Sequence, residues 1–180
     1  MEVYSMNKNP VGVIKIKNFG EVKFELYPEV APITVTNFID LVNNGYYTGL
    51  TFHRIIKGFV IQGGCPLGSG IGGPGYSIKG EFKINGVENN IKHELGVLSM
   101  ARANDPNSGG SQFFIMLGNA PHLDGSYAAF GKVIDGIDII LNIGDEEVFG
   151  DTPKNKPVID KIEIDTFGVD YVLSKEQKIK

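Results

Sequence analysis

Apolar and polar residues alternate along residues 11–17 (VGVIKIK) and again along residues 21–27 (EVKFELY), with Asn18-Phe19-Gly20 between them. A period of two is that of a half-buried strand, and the short glycine-containing joint makes the pair a β-hairpin. The period then changes. In PEVAPITVTNFIDLVNNG, Val35, Phe38, Ile39 and Val42 recur at steps of three and four, Pro32 suits a first helical turn, and Gly45 a stop. That spacing predicts an amphipathic helix. Residues 50–62 read as two short strands broken at Lys57-Gly58, and residues 96–101, 112–117 and 128–134 as further short strands. Residues 136–143 suit a buried strand or a short helix; Asp135 before them and Gly144 after them favour helix. Residues 158–164 alternate as a last strand. Residues 66–80 form a glycine-rich loop, and residues 166–180 a surface segment or frayed tail.

Strands do not alternate with helices here, so a parallel α/β sheet is excluded. About eight short strands and two helices predict a mainly β fold, a closed eight-stranded antiparallel barrel with helices over its ends. Such a barrel has room inside only for side chains, which places any site on the outer wall or among the loops. The domain spans residues 11–165, with an N-terminal extension (1–10) and a C-terminal tail (166–180). Glycine, 24 of 180 residues, lies scattered between apolar runs and supports many tight turns. A net charge of −4 provides no attraction to nucleic acid or anionic lipid. No apolar run approaches the roughly 18 residues of a membrane span. The single cysteine, Cys65, excludes an internal disulfide, and MEVYSMNKNP has no apolar core, so a cytoplasmic protein is expected.

Candidate chemistry is sparse. Gly68, Gly70 and Gly73 match G-x-G-x-x-G, but PGYSIKGEF follows where a helix should begin, so the stretch reads as a glycine loop. His53, His93 and His122 stand at no metal-ligand spacing and read as packed or surface histidines. Ser108 and Ser111, in NSGGSQ, do not form a nucleophile elbow. Cys65 reads as a tolerated small side chain in a flexible loop. Arginine stands out: there are two, Arg54 and Arg102, against 15 lysines. Arginine presents five donors in a rigid fork where lysine is a mobile point charge. Phe52 and Arg54, with Val60 and Gln62 across the turn, alternate on two short runs; pairing of the runs puts the arginine and the glutamine on one face. In QFFIM, Gln112, Phe114 and Met116 share one face and Phe113 and Ile115 the other, so one face can pack inward while the other lines a groove. On pattern alone, a barrel core with a surface arginine accounts for these residues as well as a site does.

FHRIIKGFVIQGG, LSMARA, GSQFFI, LDGSYAAFGKV and the early VAPITVTNF together resemble the cyclophilins, the cyclophilin-type peptidyl-prolyl cis/trans isomerases. The motifs run from about residue 11 to 164, in order and at nearly the family spacing. GGPGYSIKGEF and APHLDG are more similar to bacterial-type members. The resemblance implies a barrel with two capping helices, a groove on its outer wall, and no metal or cofactor. It implies that Arg54 is the catalytic arginine and that Gln62 positions it. Phe59, Val60, Phe114 and Leu123 are implied to form the proline pocket, Ala101, Arg102 and Gln112 to line the rest of the groove, and His122 and Tyr127 to close its edge. Some positions depart from the commonest pattern: Val60 is usually methionine, Arg102 often asparagine, His122 tryptophan in many eukaryotic members, and Tyr127 often histidine. The implied activity is rotation about X–Pro bonds in peptides and unfolded chains, by a monomer without nucleic-acid or membrane partners. Cyclosporin binding is expected to be weak, because His122 replaces the tryptophan. Two rivals stay open at this point: a non-catalytic proline-peptide binding module or chaperone using the same groove, and a hydrolase, which lacks an organised nucleophile.

Overall fold

The computed structural model describes residues 8–180; the first seven residues of the expected extension lie outside them. Strands β1 (Val11–Ile16) and β2 (Gly20–Leu26) form the predicted hairpin, and helix α1 (Pro32–Asn43) follows. Then come β3 (Phe52–Ile56), β4 (Val60–Gly63), β5 (Val97–Met100), β6 (Phe113–Met116) and β7 (Ala129–Asp135). Helix α2 (Ile137–Gly144) confirms the helical reading of that segment. A two-residue pair, β8 (Val148–Phe149) and β9 (Thr152–Pro153), precedes β10 (Ile159–Asp165).

Eight strands form one antiparallel sheet in the order β10-β1-β2-β7-β5-β6-β4-β3. Val35, Phe38, Ile39 and Val42 of α1 and Ile140 and Ile143 of α2 are buried in one core with the inward residues of the strands. Phe38 is its centre, with the rings of Phe24, Tyr47, Phe113 and Phe130 at 5.2–6.1 Å. Such tilted and edge-on contacts add to the burial itself. The N-terminus of α1 has no local side-chain cap. Pro32 lacks an N–H, and the N–H groups of Ile33 and Thr34 are taken by the buried Glu81 carboxylate at 3.1 and 2.6 Å. A carboxylate at this end of a helix also meets the positive end of its dipole.

The expected closed barrel is not formed. The sheet is open and curled, with β3 and β10 as its edges. Among the described residues these edges meet only where Thr51 bridges Val158, flanked by the Phe52 N–H on the Pro157 carbonyl (2.9 Å) and the Ile159 N–H on the Leu50 carbonyl (2.8 Å). Further along β3, the Ile55 N–H goes to the Asp151 carbonyl at 2.8 Å. An edge N–H must find an acceptor; here the small β8–β9 hairpin, which the hydrophobic pattern did not reveal, supplies it in place of β10.

The tail is not frayed. Leu173 is buried and its N–H reaches Asp40 Oδ2 at 3.1 Å. Ser77 and Ile179 exchange both backbone hydrogen bonds at 2.8 Å, which docks the tail on the glycine-rich loop.

Candidate active site

The turn between β3 and β4 closes on Gly58, whose φ of +73° suits glycine. It sets Arg54 directly opposite Gln62 and Ile56 opposite Val60; β4 then pairs with β6, Gln62 facing Phe114 and Val60 facing Met116. Side chains alternate across this three-stranded patch. Ile55, Ile61, Phe113 and Ile115 enter the inner core. Val60, Phe114 and Met116 form a second, outer cluster with Leu123, Ala120 and Ala129. One expectation fails: Phe52 does not share the face of Arg54. The register shifts between them, and the extra residue turns Phe52 into the inner core.

The outer cluster floors a cleft of about 390 Å³, lined by Arg54, Phe59, Val60, Gln62 and Phe114 from β3, β4, β6 and the turn between β3 and β4, and by Ala101, Arg102, His122, Leu123 and Tyr127 from the loops. Every substrate-binding residue expected from sequence stands here except Gln112, which lines an adjoining cleft of about 480 Å³. The two clefts share Gln62, Ala101 and Arg102. His122 is exposed and lies flat on Phe59, centroids 5.8 Å apart and planes at 26°. Tyr127 meets Phe114 edge-on at 5.8 Å.

Polar side chains cross the floor in one line. Gln112 Nε2 donates to the Gly70 and Gly72 carbonyls at 2.8 and 3.0 Å, and its Oε1 accepts from Gln62 Nε2 at 3.1 Å. Gln62 Oε1 accepts from Arg54 Nη1 at 3.1 Å, and Arg54 Nε donates to Asp151 Oδ2 at 3.0 Å. Three of the five guanidinium donors have no partner among the described residues.

The matching family model, cyclophilin type peptidyl-prolyl cis-trans isomerase/CLD, covers residues 12–168. The chain belongs to the cyclophilin-type isomerases. It is 50% identical over 137 residues to peptidyl-prolyl cis-trans isomerase B of Bacillus subtilis, spanning 76% of this chain and 92% of that one. It is 49% identical over 116 residues to the isomerase of Synechococcus elongatus, 64% of this chain and 75% of that one. The crystal structure of a cyclophilin type isomerase from Cryptosporidium parvum superposes with a TM-score of 0.81 at 36% identity, covering 88% of this chain and 98% of that chain.

Within this cyclophilin the two arginines do different work. The Arg102 fork is committed to carbonyls, with Nη2 and Nε on Ser126 (2.7 and 3.2 Å) and Nη1 on Ala103 and Asn104 (2.9 and 3.2 Å). It also stacks over Tyr127 and Phe82 at 4.6 and 5.0 Å. Arg102 therefore shapes the groove wall, while Arg54 keeps donors to offer.

His93 is packed, as one reading of the sequence had it, but its partners were not legible there. His93 is buried parallel to Phe114, 6.1 Å away. Its Nδ1 meets Asp124 Oδ1 at 3.0 Å and its Nε2 meets Ser99 Oγ at 2.9 Å. Burial holds the imidazole below the usual histidine range against the opposing pull of Asp124. A neutral ring donating to Asp124 accepts from the serine hydroxyl. This is a serine–histidine–aspartate set, yet Ser99 is fully buried behind the pocket floor and no substrate reaches it, which removes the hydrolase reading.

Cys65 is likewise more than a tolerated small residue. It is buried, and its Sγ accepts the N–H groups of Gly70 and Gly72, each at 3.3 Å. Burial pushes the thiol up, but the surrounding loop N–H groups outweigh it and bring it down to about 7. The sulfur thus ties the loop whose carbonyls receive Gln112. No periodic signal marks His93, Asp124 or Asp151, because each acts through a contact distant in sequence.

Proposed function

We propose that Arg54 is the electrostatic donor that drives X–Pro isomerisation in this cyclophilin, with Gln62 holding it in place. A peptide bond resists rotation by about 18–20 kcal/mol, because its C–N bond has partial double-bond character. In the twisted transition state that resonance is lost, and the proline nitrogen becomes pyramidal with a lone pair. A donor aimed at this lone pair stabilises the twisted state more than the planar one, and that difference is catalysis. Arginine stays protonated near neutral pH, so it acts as a fixed donor and not as an acid. The apolar floor of Val60, Phe114 and Leu123 accepts the proline ring while the chain beyond it rotates.

The observation that carries this reading is the cross-strand bond from Arg54 to Gln62, at 3.1 Å, with three donors left over beside a 390 Å³ cleft. The Cryptosporidium parvum enzyme, 37% identical, was also crystallised in the presence of the dipeptide Ala-Pro, which supports proline-containing peptides and unfolded chains as substrates. A single, buried cysteine supports a cytoplasmic setting. Monomeric action is part of the same proposal.

Exchange spectroscopy on an X–Pro peptide tests the assignment. Arg54→Ala should lose about a hundred-fold or more in kcat/KM with its circular dichroism unchanged, the scale of removing one preorganised donor. Arg54→Lys should also be badly impaired. Full activity in the lysine variant would show that the fork geometry is irrelevant.

A further inference from the structure

We propose that Asp151 is a positioning residue for the isomerisation: from the β8–β9 turn, its carboxylate holds the Arg54 fork by Nε so that the remaining donors face the groove. The proposal rests on the reading of Arg54 as the donor.

The geometry begins in the backbone. The carbonyl of Asp151 accepts the Ile55 N–H at 2.8 Å, which fixes the hairpin against the β3 edge one residue from Arg54. Its side chain then meets the neighbouring arginine, Oδ2 to Nε at 3.0 Å. A single hydrogen bond leaves a planar group free to swing about the bond. Two bonds from different nitrogens, Nε to Asp151 and Nη1 to Gln62, fix both the position and the plane of the guanidinium. Gln62 is itself tied to Gln112, so the fork is held from the floor on one side and from an edge hairpin on the other.

The pair is a poor candidate for holding the fold together. Its side chains are 42% and 50% exposed, and exposed ion pairs contribute little to stability. Electrostatics also opposes a purely attractive role, since a carboxylate beside the guanidinium reduces its field at the reacting nitrogen. What remains is orientation: a long side chain on a surface groove is otherwise mobile, and its ordering is done before substrate arrives.

The test compares Asp151→Ala and Asp151→Asn with the wild-type protein by exchange spectroscopy on one X–Pro peptide, with kcat and KM separated, and follows thermal unfolding in parallel. D151A should lose about two- to five-fold in kcat, with KM and Tm nearly unchanged. D151N keeps an acceptor without the charge and should retain at least half of the wild-type rate. In the Arg54→Lys background, which has no Nε, D151A should cause no further loss. A D151A protein as fast as wild type, a D151N protein as slow as D151A, or the same loss in the lysine background would each overturn the proposal. Arg54→Ala is run alongside. If it is active, the reading of Arg54 itself fails; if it is inactive while D151A is unaffected, only the role of Asp151 fails.

Discussion

At the scale of single residues, His122 and the buried histidines carry the sharpest consequences. His122 lies flat on Phe59 at the groove edge, where it offers less apolar area than an indole and places its donor differently. His122→Trp should tighten cyclosporin binding by about 1–3 kcal/mol, roughly ten- to a hundred-fold, with kcat/KM for a short peptide nearly unchanged. Inhibitor titration of both proteins under one set of conditions checks this; equal affinity refutes the role. His53 is a different case. Burial first, then Lys156 and Arg54, lowers its pKa from the usual value, and both ring nitrogens are buried without a partner among the described residues. Unfolded, it titrates near 6.5. A base held neutral in the folded state contributes stability that is full above about pH 6.5 and lost as pH falls through the folded value. Tm should therefore drop between pH 7 and 5, less steeply in His53→Gln. Parallel slopes would show that His53 is not part of the acid response.

At the scale of elements, the glycine-rich loop is organised from within by one sulfur. Gly70 and Gly72 give their N–H groups to Cys65 and their carbonyls to Gln112, so the loop joins Cys65 to the line of side chains that ends at Arg54. The folded thiol sits at about 7, below an unfolded thiol near 8.5. An acid with a depressed folded pKa adds stability present above its unfolded value and lost as pH falls through its folded one. Denaturant titrations should show the wild type gaining on Cys65→Ser by roughly 1–2 kcal/mol between pH 7 and 9. A constant difference would mean that the N–H groups do not favour the thiolate.

At the scale of the whole molecule, the tail docks on α1 through Asp40 and on the glycine-rich loop through Ser77. Leu173 is buried and Ile179 is paired with Ser77, while the 390 Å³ cleft is lined entirely by residues before 128. Removing the residues after Phe167 should lower Tm by about 5–10 °C, from the loss of one buried leucine and its neighbouring bonds, and leave short-peptide turnover intact. Loss of activity in a truncated protein that still melts cooperatively would place the tail in the catalytic assembly.

The sequence by itself determined what local periodicity encodes. The turn of α1 that carries Phe38, the β1–β2 hairpin, and the opposite faces of Phe113 and Phe114 were all legible, because a period of 3.6 or 2 states which side of an element is wet. It also carried the motifs through which the family resemblance named Arg54 and Gln62. Only the tertiary structure decided that the sheet stays open, that Phe52 turns inward past a shifted register, that Glu81 caps a helix 47 residues away, and that Asp151 grips Arg54 from 97 residues away. Three of the contacts behind them share a cause. The edge N–H of Ile55, the helix-end N–H groups of Ile33 and Thr34, and the Arg54 Nε each take an acceptor that the compact chain brings near. The acceptor is chosen by proximity in space, and two-residue strands or lone carboxylates have no period by which a sequence can announce it.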